Sequence, residues 1–445
     1  MGAEMSVKIK SAMVHPAKKL GGSLEVQGDK SISHRVAMLS GMASGTSTIR
    51  NFLASEDCLN TLRAMEALGA RVFSGDDGVL HVQGTGGKVL EPVSTLNLGN
   101  SGTGMRLLTG LIAGLPITAE LTGDESLCSR PMLRIKEPLE QMGARIELLG
   151  TNGCAPIRIH GGGLKGIHYT LPVASAQVKS CILLATLFAE GRTLVVETME
   201  TRDHTERLLR EVGIPVKVEG LCIELEGFGP GGPDIKAHNW QVPGDFSSAA
   251  YAMGAVAGRP GWSVTIRNVG LNSRRAALLD VLKRMNAGVD VEILNPKEEG
   301  EPIGNVTIRG AELKGTVVEG EEIPKLIDEL PLVAVLGALA EGKTVIRDAK
   351  ELRVKESDRI SCMVANLQLL GVPVVEVEDG MEIEGPAELA SSAAVRSYGD
   401  HRIAMSMAVL GLYAGSPVVV NNIACVDTSY PAFWNDLRKL GAHVE

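Results

Sequence analysis

Aromatic residues are scarce in this sequence. They make up 3% of the 445 residues, whereas glycine occurs 52 times. Proteins that stack nucleic-acid bases rely on exposed aromatic side chains, which this composition hardly supplies. The net charge of −9 also disfavours a polyanionic partner. The composition therefore argues against a nucleic-acid partner and predicts many turns and helix ends.

Cysteines are few and scattered. Their number is odd, and none stands in a Cys-x-x-Cys pair. The seven are Cys58, Cys128, Cys154, Cys181, Cys222, Cys362 and Cys425. Because no metal-ligand spacing links them, we expect reduced cysteines that serve packing, in a cytoplasmic protein with no metal site.

Long hydrophobic runs are also missing. The longest ones, such as residues 330–340, are too short to span a bilayer. The first ten residues contain no apolar signal core. We therefore expect no membrane partner and a cytoplasmic location.

Nucleotide-binding motifs are absent as well. The sequence has no Walker loop and no Rossmann glycine fingerprint in a dependable context. The glycine-rich stretch at residues 99–104 lacks the lysine that follows in a phosphate loop for ATP. No nucleotide cofactor is indicated, and no other cofactor is expected.

One unit recurs six times along the chain. Each copy has an amphipathic helix end, a marker residue and a strand, and the copies are roughly 70 to 85 residues apart. The markers are Gly69, Gly143, Gly213, Asn286, Gly371 and Gly441. Glycine or asparagine is the residue that a left-handed helix C-cap requires. The full unit is predicted to contain a helix, a strand, a helix and two strands, a mixed α/β motif.

Six units of this length predict two domains of three units each. The last copy stops just after its marker strand, and residues 12–27 have the pattern of the strands that it lacks. We therefore predict an N-terminal domain at residues 29–242, and a C-terminal domain formed by residues 1–28 and 243–445. Two linkers then join the domains, which favours a cleft that closes by hinge motion.

Polar and basic residues cluster where the first helix of each copy begins. Capping accounts for serine, aspartate, asparagine and glycine at these positions. It does not account for the cations and the amide that stand there, because a helix N-terminus disfavours positive charge unless an anion joins it. These residues are Lys30, Arg35, Arg106, Gln177, Lys179 and Arg402.

Loops after the following strands add a second basic set. Arg130, Arg202 and the pair Lys355 and Arg359 belong to it. Two unpaired cations about 4 Å apart repel by roughly 4 kcal/mol at an effective dielectric of 20. Ordinary caps and solvated salt bridges are the alternative for each stretch alone. Taken together, the stretches predict a site for ligands with phosphate and carboxylate groups.

Seven motifs in order carry a resemblance to a known family. They are GDKSISHR, GNSGTGMR, ASAQVKS, TRDHTE, IDELP, LRVKESDRI and GDHRIAM. From about Pro16 to the C-terminus the chain resembles the 5-enolpyruvylshikimate-3-phosphate synthase family, nearer its class II branch. The resemblance implies a two-domain inside-out α/β barrel with three βαβαββ units in each domain. It also implies transfer of the enolpyruvyl group of phosphoenolpyruvate to shikimate 3-phosphate, a step of aromatic amino acid biosynthesis.

The resemblance assigns roles position by position. Lys30, Asp328 and Glu356 match catalytic residues. The residues that match contacts to shikimate 3-phosphate are Lys30, Ser31, Arg35, Ser175, Ala176, Gln177, Arg202, Asp328 and Lys355. Those that match contacts to phosphoenolpyruvate are Lys30, Gly102, Arg130, Gln177, Arg359 and Arg402. A monomer that uses these small substrates without a metal is expected.

At three positions the residue of this chain differs from the one that many or some family members carry. Thr428 stands where many members have a lysine that contacts phosphoenolpyruvate, and Ala176 stands where many have a serine. Gly102 occupies the position at which glyphosate-tolerant class II members carry alanine. Glycine there predicts inhibition by glyphosate, in competition with phosphoenolpyruvate.

Two alternative functions are compatible with parts of the sequence. UDP-N-acetylglucosamine enolpyruvyl transferases share the fold but require a cysteine-bearing loop and a different opening motif. Cys128 lies near the corresponding loop, whereas KSISHR and DHRIAM favour shikimate phosphate. A non-catalytic anion-binding protein is the second alternative. Asp328 and Glu356 argue against it, because carboxylates weaken the binding of an anion.

Overall fold

The structure is a computed structural model that describes residues 10–75, 79–295, 300–389 and 393–445. The helices in these ranges are α1 (Lys30–Met42), α2 (Glu56–Ala67), α3 (Gly102–Ala113), α4 (Glu125–Cys128), α5 (Leu133–Gln141), α6 (Ala176–Thr186), α7 (His204–Glu211), α8 (Phe246–Ala257), α9 (Leu278–Arg284), α10 (Ile323–Leu326), α11 (Leu330–Leu339), α12 (Arg359–Leu369), α13 (His401–Gly411) and α14 (Phe433–Lys439). Short 3₁₀ helices lie at Thr151–Gly153, Gly320–Glu322, Lys350–Val354 and Ile423–Thr428.

The strands in the same ranges are β1 (Ser11–Val14), β2 (Gly21–Glu25), β3 (Thr46–Arg50), β4 (Arg71–Ser74), β5 (Leu80–Gln83), β6 (Leu96–Asn97), β7 (Thr118–Thr122), β8 (Arg145–Leu148), β9 (Ile157–His160), β10 (His168–Thr170), β11 (Arg192–Val196), β12 (Val216–Glu219), β13 (Cys222–Glu226), β14 (Asn239–Gln241), β15 (Ser263–Gly270), β16 (Gly288–Ile293), β17 (Ile303–Arg309), β18 (Val317–Val318), β19 (Gly342–Ile346), β20 (Val374–Val377), β21 (Gly380–Gly385), β22 (Ala394–Arg396) and β23 (Val418–Asn421).

These strands form six small sheets with a shared topology. Within the described residues, five sheets have four strands and one has three. In one of them, β10 pairs in parallel with β11, β11 pairs antiparallel with β13, and β13 pairs antiparallel with β12. The other four-stranded sheets repeat this pattern, and the three-stranded sheet has its parallel pair, β22 with β23, and one antiparallel pair, β23 with β1. One sheet for each repeat confirms the prediction of six copies of a mixed α/β unit.

The chain divides into two compact units. Unit 1 contains Met1–Val26, Gly244–Leu294 and Ile303–Glu445, and unit 2 contains Gln27–Pro243 and Asn295–Pro302.

Within each unit, three helices form the centre. In unit 2, α3 packs against α1 and α6, and in unit 1, α8, α11 and α13 pack against one another. The helix residues beyond the first turn are almost all buried. Strands such as β3 and β11 alternate between buried and more exposed residues, as strands do when one face of a sheet meets solvent. Helices inside and sheets outside are the inside-out arrangement that the family resemblance predicts.

The N-terminal segment supplies two strands of unit 1. Strand β1 pairs antiparallel with β23, and a further antiparallel bridge joins Val14 to Val444. Strand β2 pairs in parallel with β15. In unit 2 the corresponding parallel strand of the first copy is β14, which pairs with β3. The chain therefore passes from one unit to the other between β2 and α1, and again between β14 and α8.

The marker residues adopt the backbone conformation that the repeats predict. All six have positive φ angles, which range from 77° at Asn286 to 107° at Gly69 and Gly143. Such angles suit residues without a crowded Cβ, or asparagine. The prediction of left-handed helix C-caps is therefore confirmed. Among the described helices, none combines the length and the apolar character that a membrane crossing requires.

Candidate active site

The N-termini of the central helices carry most of the predicted site residues. Five of the six are capped by the side chain of the preceding residue, which accepts a hydrogen bond from a backbone N–H of the first turn. The capping residues are Asp29, Ser101, Ser175, Asp245 and Asp400. These caps confirm that the small and acidic residues of the motifs mark helix starts.

Lys30 and Arg35 occupy different depths on α1. The Nζ of Lys30 lies 2.5 Å from Oδ2 of Asp57, and the lysine side chain remains 20% exposed. Arg35 is only 4% exposed. Its Nη1 donates to the backbone oxygen of Ser31 at 2.8 Å. Burial lowers the pKa of Arg35 to about 10. Lys30 therefore stands at the helix end, where an anion would meet it, and Arg35 lies beneath.

Two hydroxyl groups hold the rest of the Arg35 guanidinium. Nε donates to Oγ1 of Thr205 at 2.7 Å, and Nη2 donates to Oγ of Ser180 at 2.7 Å. Thr205 also donates to Ser180 at 2.7 Å. Arg202 lies close enough to oppose the charge of Arg35 and helps to lower its pKa. The structure thus places Arg202 near Arg35, both predicted to contact shikimate 3-phosphate, although Glu206, Asp29 and Glu301 act more strongly on Arg35 and raise its pKa.

Gly102 begins α3 beside two arginines. A Cβ at this position would lie 3.0 Å from Nη1 of Arg130 and 3.2 Å from Nη1 of Arg106. Arg130 is itself fixed, because its Nη2 donates to Oδ1 of Asn100 at 2.5 Å. A side chain at this position would therefore press against both guanidinium groups, and glycine avoids this contact. Gly102 and Arg130 were both predicted to contact phosphoenolpyruvate.

The start of α6 joins this region through Gln177. Its Oε1 accepts from Nη1 of Arg106 at 2.5 Å, and its Nε2 donates to Oγ1 of Thr103 at 2.9 Å. Ser175 uses its hydroxyl oxygen to cap the helix, at 3.3 Å from the backbone nitrogen of Val178. Ala176 is the first residue of the helix. The residues predicted on α3 and α6 therefore lie side by side in unit 2.

Lys179 does not belong to this surface. It is fully buried, and its Nζ lies 2.7 Å from Oε1 of Glu206 and 3.1 Å from Oε1 of Glu197. Thr201 in turn donates to Glu197. The inference that a bound anion explains the charge of Lys179 is therefore wrong, because two buried glutamates balance it.

Arg359 is the centre of the predicted residues in unit 1. It is 1% exposed and its Nε donates to Oδ2 of Asp400 at 2.8 Å. Its Nη2 donates to Oε2 of Glu356 at 2.6 Å, and its Nη1 donates to Oδ1 of Asp328 at 3.3 Å. Burial works against the charge, but the surrounding carboxylates outweigh it and hold the pKa of Arg359 above its ordinary value. One guanidinium thus orients both predicted catalytic carboxylates of this unit.

Arg402 approaches Asp328 from a second side. Its Nη1 donates to the backbone oxygen of Asp328 at 3.1 Å, and its Nε lies 3.5 Å from Oδ1 of the same residue. Burial opposes its charge, and the nearby Asp328 raises the pKa of Arg402 again. Lys355 lies in the same region. Desolvation lowers its pKa, although Asp328 and Glu351 oppose this effect. The five predicted residues of unit 1 therefore form one cluster.

Thr428 ends a 3₁₀ helix, where the family pattern has lysine. Its Oγ1 donates to the backbone oxygen of Cys425 at 2.7 Å. The hydroxyl thus satisfies a local carbonyl group. The loss of one cationic contact in this chain remains a prediction.

Three supporting residues were missed by sequence reasoning. His34 is buried, with Nδ1 2.7 Å from Oγ1 of Thr61 and Nε2 3.4 Å from Oγ of Ser101, the cap of α3. Burial, and after it the charges of Lys30 and Arg35, keep the pKa of His34 well below its ordinary value. Asp57 and Asp400 pair with Lys30 and Arg359. Asp400 and His34 stand within the quoted motifs, so a motif position was their available signal.

Chemically, each cluster combines cations with ionisable groups that are able to transfer protons. Unit 2 offers Lys30 beside a set of arginines and capped helix ends, and unit 1 offers Asp328 and Glu356 on Arg359. Within the described ranges, neither cluster contains three side chains arranged to hold a metal ion. The arrangement suits phosphate and carboxylate groups and acid–base chemistry.

Known proteins are similar to this chain over almost its whole length. Residues 14–437 match the sequence profile of the family described as EPSP synthase (3-phosphoshikimate 1-carboxyvinyltransferase). A protein of Akkermansia muciniphila named 3-phosphoshikimate 1-carboxyvinyltransferase is 52% identical over 96% of this chain and 98% of its own length. A relative with the same name from Desulforamulus reducens is 46% identical over 96% of this chain and 99% of its own length.

Solved structures agree in fold. The structure of EPSP synthase from Acinetobacter baumannii is 42% identical, with a TM-score of 0.85, and the match covers 98% of this chain and 99% of that chain. The enolpyruvyl transferase NikO from Streptomyces tendae has a TM-score of 0.80 at 18% identity, a likeness of fold alone. The predicted enolpyruvyl transferase fold is therefore confirmed. With a family profile matched over residues 14–437 and relatives at this level of identity, the chain belongs to the EPSP synthase family.

Proposed function

We propose that this chain transfers the enolpyruvyl group of phosphoenolpyruvate to the 5-hydroxyl of shikimate 3-phosphate and releases phosphate. The carrying observation is the pair of clusters that hold the predicted residues, one in each unit. Both substrates carry a phosphate and a carboxylate, and arginine binds both groups in a forked, bidentate manner.

Shikimate 3-phosphate is assigned to residues of both clusters. Ser31, Arg35, Ser175, Ala176, Gln177 and Arg202 belong to unit 2, together with Lys30, and Asp328 and Lys355 belong to unit 1. The proximity of Arg35 and Arg202 supports this assignment, because a phosphate would add to the partial compensation that Glu206, Asp29 and Glu301 give to the charge of Arg35. Ala176 has only its methyl group and backbone N–H to offer at the helix end.

Phosphoenolpyruvate is assigned to Lys30, Gly102, Arg130 and Gln177 in unit 2, and to Arg359 and Arg402 in unit 1. The lack of a side chain at Gly102, close to the guanidinium groups of Arg130 and Arg106, and the fixed orientation of Arg130 support a compact anionic group there. Arg359 is held by three carboxylates, so it stays charged and oriented before the ligand arrives.

The proposed chemistry is an addition followed by an elimination. The 5-hydroxyl oxygen bonds to C2 of phosphoenolpyruvate while C3 gains a proton, and the C2–O bond to phosphate then breaks as C3 returns a proton. Asp328 accepts the proton of the hydroxyl, whereas Lys30 and Glu356 serve the proton transfers at C3 and at the leaving phosphate. Positioned groups of this kind typically contribute about 10²–10⁴-fold each to the rate.

The remaining assignments concern the setting of the enzyme. We propose a monomer in the cytoplasm that needs no nucleic acid, membrane, metal or cofactor for this reaction. The seven cysteines support the location, because all of them are free thiols and such thiols persist in a reducing compartment.

The test is phosphate release by the purified chain. Release is expected only when shikimate 3-phosphate and phosphoenolpyruvate are both present, with the enolpyruvyl ether as the second product. UDP-N-acetylglucosamine in place of shikimate 3-phosphate serves as the control acceptor and should give no release. Release with the control acceptor alone, or none with the proposed pair, would refute the assignment.

A further inference from the structure

Two histidines and a glutamate meet at the edge of unit 1, at opposite ends of the sequence. Nε2 of His15 lies 3.2 Å from Oε1 of Glu445, and Nε2 of His443 lies 3.3 Å from the same oxygen. The two imidazole rings are stacked, with their centroids 4.2 Å apart and their planes at 23°. None of the three belongs to the candidate active-site clusters, so the proposed reaction leaves them without a role.

Backbone pairing holds these residues on one face. The bridge between Val14 and Val444 places His15 opposite His443 and Met13 opposite Glu445. The backbone nitrogen of His15 donates to the oxygen of His443 at 3.0 Å, and that of Met13 donates to the oxygen of Glu445 at 2.8 Å. Directly opposite residues share a sheet face, and so do residues two apart on one strand. The three side chains are therefore positioned by main-chain bonds and do not meet by chance rotation of long side chains.

We propose that His15, His443 and Glu445 form a binding site for a divalent transition-metal ion of the Zn²⁺ type. Ligand atoms about 2.0–2.1 Å from a tetrahedral zinc ion lie roughly 3.3 Å from one another. The two nitrogen–oxygen distances of 3.2 and 3.3 Å already match this separation. All three ligand atoms lie within 4.8 Å of each other, and this is the one such group within the described ranges.

The state of His15 supports the same assignment. Its Nε2 is buried and makes no hydrogen bond with any described residue, although the glutamate oxygen is near. A buried polar atom without a partner costs free energy, which a metal–nitrogen bond would recover. His443 is 66% exposed and Glu445 is 59% exposed, so both can adjust their side chains around an ion and leave a fourth position to water. Imidazole and carboxylate donors suit zinc better than magnesium, which prefers an all-oxygen shell.

A metal here would join the first strand of unit 1 to the last residues of the chain. Titration calorimetry with Zn²⁺ on the full chain, stripped with a chelator and free of any histidine tag, tests the site. We expect one saturable zinc ion for this site and no heat of binding with Mg²⁺. His443→Ala should weaken the binding at least about tenfold, since even the outer partners of metal ligands are worth about 10–100-fold. Because His443 is 66% exposed, the packing that this variant loses is mainly the stacking of its ring on His15.

The matched control is His168→Ala, which removes an exposed histidine from β10 in unit 2. It should bind zinc as the wild type does. As a second readout, hydrogen exchange at the amides of Met13, His15 and Glu445 should slow on addition of zinc in the wild type and in the control, and remain unchanged in His443→Ala. Equal zinc binding by His443→Ala and the wild type would place the ion at the thiols or elsewhere and overturn the proposal. A wild type that takes up no zinc would do the same.

Discussion

Replacement of Gly102 by alanine is the sharpest test of the region assigned to phosphoenolpyruvate. The added methyl would lie 3.0 Å from Nη1 of Arg130 and 3.2 Å from Nη1 of Arg106, closer than the roughly 3.5–4.0 Å of ordinary contact. The guanidinium groups must therefore give by a few tenths of an ångström. Their movement is limited, because Arg130 is bonded to Asn100 at 2.5 Å and Arg106 to Gln177 at 2.5 Å.

The cost to a ligand follows from these bonds. Because these bonds limit the movement of the arginines, the methyl narrows the space left for the ligand, and a lost fit of roughly 2.7 kcal/mol corresponds to about a hundredfold in affinity. Glyphosate is longer than phosphoenolpyruvate and should bear most of this cost. We expect its inhibition constant to rise about a hundredfold in Gly102→Ala, while the KM for phosphoenolpyruvate rises tenfold at most.

The assay measures inhibition at several concentrations of phosphoenolpyruvate, so that competition is visible. Gly104→Ala is the crowding control on the same helix, since its methyl would be crowded by hydroxyl oxygens and not by arginines, at 2.9 Å from both Ser101 Oγ and Thr61 Oγ1. It should lower stability without altering the ratio of the two constants. Millimolar tolerance of the wild type, or an unchanged ratio in Gly102→Ala, would show that another position controls this space.

Three further predictions concern catalysis, burial and pH. Glu356→Gln keeps an oxygen for Arg359 but cannot exchange a proton, so turnover should fall about 10²–10⁴-fold with little change in KM. Lys179→Met should lower the free energy of unfolding in urea by about 3–5 kcal/mol, because Glu197 and Glu206 lose their buried counter-charge. Burial lowers the pKa of His34, so only the unfolded chain takes up a proton as pH falls below about 6.5. Stability should then fall by about 1.4 kcal/mol per pH unit through this residue, and His34→Gln should remove that slope.

A specific outcome would contradict each of these three predictions. Turnover of Glu356→Gln near that of the wild type would exclude its role in proton transfer. Lys236→Met is the control for burial, because that lysine is 74% exposed, and equal losses in the two variants would contradict the charge argument. Parallel stability curves for wild type and His34→Gln between pH 5 and 7 would show that His34 is not kept neutral.

Local features were the part of the fold that the sequence could predict. The markers from Gly69 to Gly441 and the caps such as Asp29 and Ser101 depend on a few neighbouring residues, and both were located correctly. The pairing of His15 with His443 was not predictable, because it depends on which strands the fold places side by side.

The contrast between Lys30 and Lys179 shows where a cation near a helix N-terminus does not indicate a bound anion. The charge of a helix N-terminus is felt within its first turn. Lys30 is the first residue of α1, so a ligand at the helix end can reach it. Lys179 is the fourth residue of α6, and its side chain is fully buried. There the fold must bring its own counter-charges, and Glu197 and Glu206 come from later in the chain. The buried position of Lys179 is thus explained by internal carboxylates, whereas Lys30 keeps one carboxylate partner, Asp57, and remains partly exposed at the helix end where a ligand can reach it.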